Sequence, residues 1–248
     1  MEPMSTRPPK AAMIVAQRIV RDSLREGLKP GDLMAPERTM LEKYQTGRGT
    51  LREALRLLEF QGVIALKPGP RGGPVLRNPD PSHLASTVVL LMQINAAPFR
   101  TIVEVRGALE PMISSLAAER MDADDLAALQ GTIDQMRADL GDQHSFLEAN
   151  KRFHDVIAWS SGNVLFGYIV DSLLGIMDGA VMGIHYPPHR RQAILVAHEE
   201  IYAALAARDP ALSQARMQEH IDAYTRYAER KYRELLDETI PWDQRYVG

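Results

Sequence analysis

Residues 11–77 hold three short segments with helical apolar spacing, cut apart by glycine and proline breaks, then two apolar runs around a basic, glycine-rich tip. From Ala11, the residues Ile14, Ile19 and Leu24 alternate with Arg18, Arg21, Arg25 and Glu26 as far as Gly27. Lys29-Pro30-Gly31-Asp32 then reads as a turn. Pro36-Glu37-Arg38 opens a second short helix, proline being suited to a helix start, and it carries Met40, Leu41 and Tyr44. After the break Thr46-Gly47-Arg48-Gly49, the segment from Thr50 to Gln61 sets Leu51, Ala54, Leu55 and Leu58 at core spacing, and Gly62 stops it. Val63–Leu66 and Gly73–Leu76 flank Lys67-Pro68-Gly69-Pro70-Arg71-Gly72, the pattern of a β-hairpin. Three helices followed by a hairpin predict a winged helix-turn-helix.

The chemistry of that head suits DNA. Arg48 and Arg52 are four residues apart, hence on one helical face, opposite Leu51, Leu55 and Leu58. A guanidinium there can pair with guanine O6 and N7 in the major groove. Arg38, early in the preceding helix, is placed for a phosphate, and Lys67 and Arg71 at the wing tip for the adjacent backbone. The net charge of -3 conceals an asymmetry: the chain carries +5 through residue 80 and -8 beyond it. A basic head on an acidic body fits a first third that meets a polyanion. The competing reading is that these arginines are solvated, or pair with Glu37, Glu42 and Glu53.

Residues 1–10, with three prolines, read as a flexible arm, and Asn78-Pro79-Asp80-Pro81 as a linker following a DNA-binding domain over 11–77. Beyond it the pattern is helical throughout, near 82–95, 99–121, 123–140, 144–160, 163–183, 189–208 and 210–236, with 237–248 as a loose tail. The expected fold is therefore mainly α: the winged head, then an all-α bundle of six or seven helices over 82–236 that binds an effector. The sequence has no cysteine, so any metal must be held by His, Asp, Glu or Asn. It has neither the apolar core of a signal peptide nor an apolar run of membrane-spanning length, so a cytoplasmic location is expected.

In the body, Asn150 and His154 lie four apart on one helix, and His198 and His220 each fall on a helix of their own. Three imidazoles and an oxygen from three helices can bind a divalent cation inside a bundle. Spacing alone equally allows ordinary core or surface histidines. His185 and His189 share an i, i+4 spacing, but Pro187-Pro188 between them points to a surface loop. Ser160-Ser161-Gly162 reads as a helix end, not a nucleophile, and Met92, Met112, Met136, Met177 and Met182 as core filler.

The series Pro30-Gly31-Asp32, Pro36-Glu37-Arg38, Gly47-Arg48, Leu51-Arg52-Glu53-Ala54-Leu55, Leu58 and Gly62 resembles the winged helix of the GntR family. The resemblance implies that Arg38, Arg48, Thr50, Arg52 and the wing glycine Gly72 contact operator DNA. Met34-Ala35 replaces the usual Leu-Ser, and Gly47 and Gly49 stand where hydroxyl residues are common, which removes a side-chain cap from the recognition helix. Residues 84–232, with Val105-Arg106, Leu109-Glu110, Ala117-Ala118, Phe153-His154 and the two later histidines, resemble the FCD domain of the FadR branch. That resemblance implies a divalent metal, zinc or nickel, on Asn150, His154, His198 and His220, with Asn150 replacing the family's aspartate by a neutral oxygen ligand. It also implies a homodimer on a palindromic operator, a small organic acid as effector, and Arg106 as a ligand for its carboxylate. The competing role for Arg106 is a plain i, i+4 pair with Glu110. Two further readings are an acyl-thioester-responsive regulator without metal, and a metal-dependent hydrolase using the same histidines.

Overall fold

The computed structural model describes residues 10–69, 72–177 and 183–242, and the chain divides into two compact units, one through His83 and one from Leu84. Among the described residues it forms eleven α-helices and one two-stranded antiparallel sheet. No helix among them is long and apolar enough to cross a membrane.

The first unit contains α1 (Ala11–Arg25), α2 (Glu37–Tyr44), α3 (Arg48–Phe60), β1 (Ile64–Lys67) and β2 (Gly73–Leu76). Its core gathers Ile19, Met40, Tyr44, Leu51, Leu55, Leu58, Ile64 and Leu76. Ile19 is fully buried, but Ile14 and Leu24, expected to share its face, are exposed; Val15, Ala16 and Ser23 face inward instead. A step of five residues turns a helix by about 140° past one full turn, so Ile14 and Leu24 point sideways, whereas steps of three and four return to the same face. Gly62 follows α3 at φ +70, in the left-handed region that a helix end of this type requires, and a Cβ there would meet the His83 ring at 2.6 Å. The hairpin pairs Ile64 with Leu76 and Lys67 with Gly73. The turn read at Pro30-Gly31-Asp32 also adds to the sheet: Leu33 bridges Val75, the Gly31 N–H donates to the Leu76 carbonyl at 2.8 Å, and the Met34 N–H to that of Pro74 at 2.8 Å.

The second unit is helical: α4 (Pro81–Ile94, which begins in the first unit), α5 (Arg100–Arg120), α6 (Ala123–Ala138), α7 (Gln143–Ser160), α8 (Val164–Ile176), α9 (Pro188–Ala206), α10 (Pro210–Lys231) and α11 (Arg233–Asp237). Phe99, Phe146, Phe153, Ile113, Leu129 and Met136 fill its core. Asp122, Asp142, Asn163 and Asp209 cap the starts of α6, α7, α8 and α10 by accepting backbone N–H groups. The first turn of α10 is tied to the C-terminal half of α5 by a 2.6 Å contact between the Ser213 and Ser114 hydroxyls.

Three details depart from expectation. The last long helix is broken at Tyr232, whose backbone leaves the helical region (φ -137, ψ 37) and whose hydroxyl donates to the His185 carbonyl at 2.9 Å. Residues 237–242 are packed, not loose: Thr239 bridges Pro98, Ile240 is buried, and the Trp242 indole N–H donates to the Ser86 hydroxyl at 2.8 Å. Met92, Met136 and Met177 are buried as core filler, but Met112 is 41% exposed, and Met182 lies outside the described residues.

Candidate functional site

On α3 the apolar side is fully committed, with Leu51, Ala54, Leu55 and Leu58 buried. Arg48 and Arg52 are exposed on the other side, and Arg56, one turn further along and not singled out from the sequence, is exposed too. The helix starts at Gly47 without a side-chain cap. Thr50 is half-buried in the first turn. Arg38 and Arg52 do meet carboxylates, at 3.8 Å from Glu42 and 3.7 Å from Glu37, yet both pairs are long and solvent-exposed. Such pairs contribute at most about 1 kcal/mol, so a phosphate or base edge displaces them at little cost. Gly72 has a steric reason to be glycine: a Cβ would lie 2.0 Å from the Lys67 carbonyl oxygen on the facing hairpin arm. Lys67 is exposed, and Arg71 lies outside the described residues.

The second unit brings together three histidines that are 44 and 22 residues apart along the chain. His154 on α7, His198 on α9 and His220 on α10 are all buried, with a potential ligand atom from each within 4.8 Å of the others. Among the described residues they form the one such set of three. His198 Nε2 and His220 Nε2 are 3.3 Å apart. Two imidazole nitrogens bound tetrahedrally to one ion at zinc–nitrogen length are separated by about 3.3–3.4 Å, so this pair is spaced to share a cation. Burial, followed by the proximity of the other histidines, holds His198 and His220 well below the usual imidazole range. They are therefore neutral, the form that ligates metal.

Phe153 stacks on the His198 ring at 3.9 Å with the planes 8° apart, which fixes the ring's orientation. His154 is held differently. Its Nδ1 lies 2.6 Å from Glu110 Oε2, a close approach without hydrogen-bond alignment. The other oxygen of Glu110 accepts from Arg106 Nε. Burial alone raises a carboxyl's pKa, but here Arg106 and then His154 outweigh it and hold Glu110 as a carboxylate. A carboxylate behind a ligating imidazole leaves the far nitrogen free for a metal and sets the ring's direction. Glu110 thus has a role beyond the partnership with Arg106 that its sequence position suggested. Replacing it with glutamine is expected to lower zinc affinity about 10- to 100-fold. It should also destabilise the protein by about 3–5 kcal/mol, because Arg106 would lose its counter-charge inside the bundle. Chelator competition and urea unfolding measure the two effects separately.

A cavity of about 70 Å³ adjoins the cluster, lined in part by Asn150, His154 and His220. Asn150 is half-buried on the same wall, one turn before His154 on α7. Arg106 also lines the cavity; its Nε is engaged by Glu110, the i, i+4 pair, and its Nη1 donates to Met177 Sδ at 3.4 Å. His185 and His189 are exposed and not members of the set of three; His185 is outside any helix, but His189 lies in the first turn of α9 rather than in a loop. Ser161 and Gly162 end α7, with Gly162 at φ +72.

A family model described as "Bacterial regulatory proteins, gntR family" matches residues 12–71, and one for the FCD domain matches residues 101–223. The HTH-type transcriptional regulator YcbG of Bacillus subtilis (strain 168) is 35% identical over 207 residues, 84% of this chain and 85% of its own. The chain belongs to the GntR family. The galactonate operon transcriptional repressor of Escherichia coli (strain K12) is 31% identical over 137 residues, which cover 54% of this chain and 59% of that protein. A solved structure, Streptococcus agalactiae GntR, superposes with a TM-score of 0.69 at 22% identity, covering 87% of this chain and 99% of that one, a likeness of fold. As a GntR transcriptional regulator with an FCD effector domain, the protein is not an enzyme, and the hydrolase reading is set aside.

Proposed function

We propose that this GntR regulator is a cytoplasmic homodimer that binds a palindromic operator and is controlled by a small organic acid held beside a divalent metal, zinc or nickel. The observation that carries the proposal is the buried cluster of three imidazoles with 3.3 Å between two of the Nε2 atoms. Asn150, His154, His198 and His220 would hold the ion. When bound, it supplies a positive charge that attracts an anionic ligand into the adjoining cavity. Asn150 leaves that charge uncompensated, where an aspartate would have offset part of it. Three imidazoles gathered at ligand distance favour an acid held beside a metal over an acyl thioester bound without one. A relative named for the galactonate operon points the same way.

In the head, Arg48 and Arg52 would read base edges, Arg38 and Thr50 would contact the backbone, and Gly72 would let the wing tip approach it. The effector acts by favouring one arrangement of the two heads, a coupling of about 1–3 kcal/mol in typical allosteric proteins. The test is elemental analysis of purified protein, together with operator binding before and after metal stripping in a panel of short organic acids. Metal content near zero in protein prepared without chelator, and no reloading by zinc or nickel, would discard the metal centre. Operator affinity indifferent to every acid and to metal would discard the control mechanism.

A further inference from the structure

Arg48, Arg52 and Arg56 follow one another at four-residue steps along α3, and all three are exposed. Each such step advances a helix by about 6 Å and turns it by about 40° past a full turn. Arg56 therefore stands about 12 Å along the axis from Arg48 and about 80° round from it. That places it close to the middle of the exposed side, opposite Leu51, Ala54, Leu55 and Leu58. Arg38 and Arg52 each have a carboxylate in reach, Glu42 and Glu37. Arg56 has none within ion-pair distance among the described residues, although Glu53 stands three residues before it.

Arg56 lines a surface groove between α3 and the start of α1, together with Lys10, Met13, Glu53, Leu57 and Phe60. Two cations against one carboxylate leave this wall with a positive surplus. Met13, Leu57 and Phe60 offer apolar surface along which the arginine stem can lie while its guanidinium stays in solvent. Helical side chains lean toward the N-terminus, so the guanidinium is carried toward the end of α3 that bears Arg48 and Arg52. A recognition helix puts its N-terminal residues on base edges, at the floor of a major groove about 8.5 Å deep. A side chain rooted about 6 Å behind Arg52 and turned outward meets the groove wall, where the phosphates lie. A phosphate arriving there finds a guanidinium with no ion pair to give up.

We propose that Arg56 is a further operator contact of this protein, one that binds a backbone phosphate at the rim of the major groove and reads no base. This role rests on α3 being the recognition helix, and it assigns to Arg56 affinity without selectivity, which phosphate contacts supply and base contacts do not. On a palindromic site a homodimer brings two copies of the residue, hence two phosphates.

The test titrates the full-length protein, Arg56→Gln and Arg56→Lys by fluorescence anisotropy, on an operator from genomic fragment selection and on a scrambled duplex of equal length. Salt is varied between about 0.05 and 0.3 M, where counterion release governs phosphate contacts. Arg56→Gln is expected to weaken binding roughly 10- to 60-fold at about 0.1 M salt, by the same factor on both duplexes, and to reduce the salt slope by about two. The deficit should shrink as salt rises, and Arg56→Lys, which keeps the charge, should keep the slope. Because Arg56 is exposed, all three proteins should melt at the same temperature. Unchanged affinity and slope in Arg56→Gln overturn the proposal. So does a loss confined to the operator with the slope intact, which would make Arg56 a base reader. A fall in dimer content with the slope intact overturns it too, and assigns the groove to protein contact. The recognition-helix reading is scored separately, by the duplex preference of a variant lacking Arg48 and Arg52. If that preference survives while Arg56→Gln lowers the slope, base reading by the two arginines fails and the phosphate contact stands.

Discussion

Replacing Arg48 and Arg52 together with alanine is expected to reduce selective operator binding by roughly 30-fold to 20,000-fold, since each bidentate arginine–guanine pair contributes about 1–3 kcal/mol. The fold should be unaffected, because both side chains are exposed and the apolar side of α3 is untouched. The double change removes one ion pair, Arg52 with Glu37 at 3.7 Å, which is solvent-exposed and contributes at most about 1 kcal/mol. The residual binding should be unselective and keep most of its salt dependence, because the phosphate contacts proposed for Arg38 and the wing remain. Fluorescence anisotropy on an operator from genomic fragment selection and on a scrambled duplex, at several salt concentrations, measures both. A folded double variant that still prefers the operator would refute the recognition-helix assignment.

Stripping the metal is expected to lower the melting temperature by about 8–16 °C. Zinc at a thousand times its dissociation constant stabilises the folded state by about 4 kcal/mol, and a chain of this length shifts by about 2–4 °C per kcal/mol. The direction follows from the site: three buried imidazoles gather in the folded chain and scatter in the unfolded one, so the ion binds only the former. His220→Ala should remove the response to added zinc, because it deletes a ligand from α10 and leaves two histidines on separate helices. Differential scanning calorimetry with chelator and then with zinc decides it. Equal melting temperatures in both conditions, in protein shown by elemental analysis to have gained and lost the ion, would mean that the cluster is a packing feature.

The head was readable because its information is local. Each helix start and stop between Ala11 and Gly62 is written in residues a few positions apart, and the apolar spacing of α3 matches the buried face position by position. Where the reading failed there, with Ile14 and Leu24, it had followed a five-residue spacing that no helix face obeys. The bundle helices were legible for the same reason, but the break at Tyr232 was not. It depends on a hydroxyl meeting a carbonyl 47 residues away, and nothing around Tyr232 announces it. The packing of residues 237–242 against α4 is likewise invisible in a segment with no periodicity.

For the site, the sequence by itself supplied the cast: three histidines and an asparagine on three helices, and an arginine and a glutamate four residues apart. Local spacing determined that Asn150 shares a face with His154, and Arg106 with Glu110, because the helical repeat alone brings such residues together. Only the tertiary structure decided that Glu110 reaches His154 and that the three imidazoles converge to ligand distance. Those facts depend on how α5, α7, α9 and α10 pack against one another. A repeat of about 3.6 residues sets which way each side chain faces on its own helix, but not which side chain of another helix it will meet.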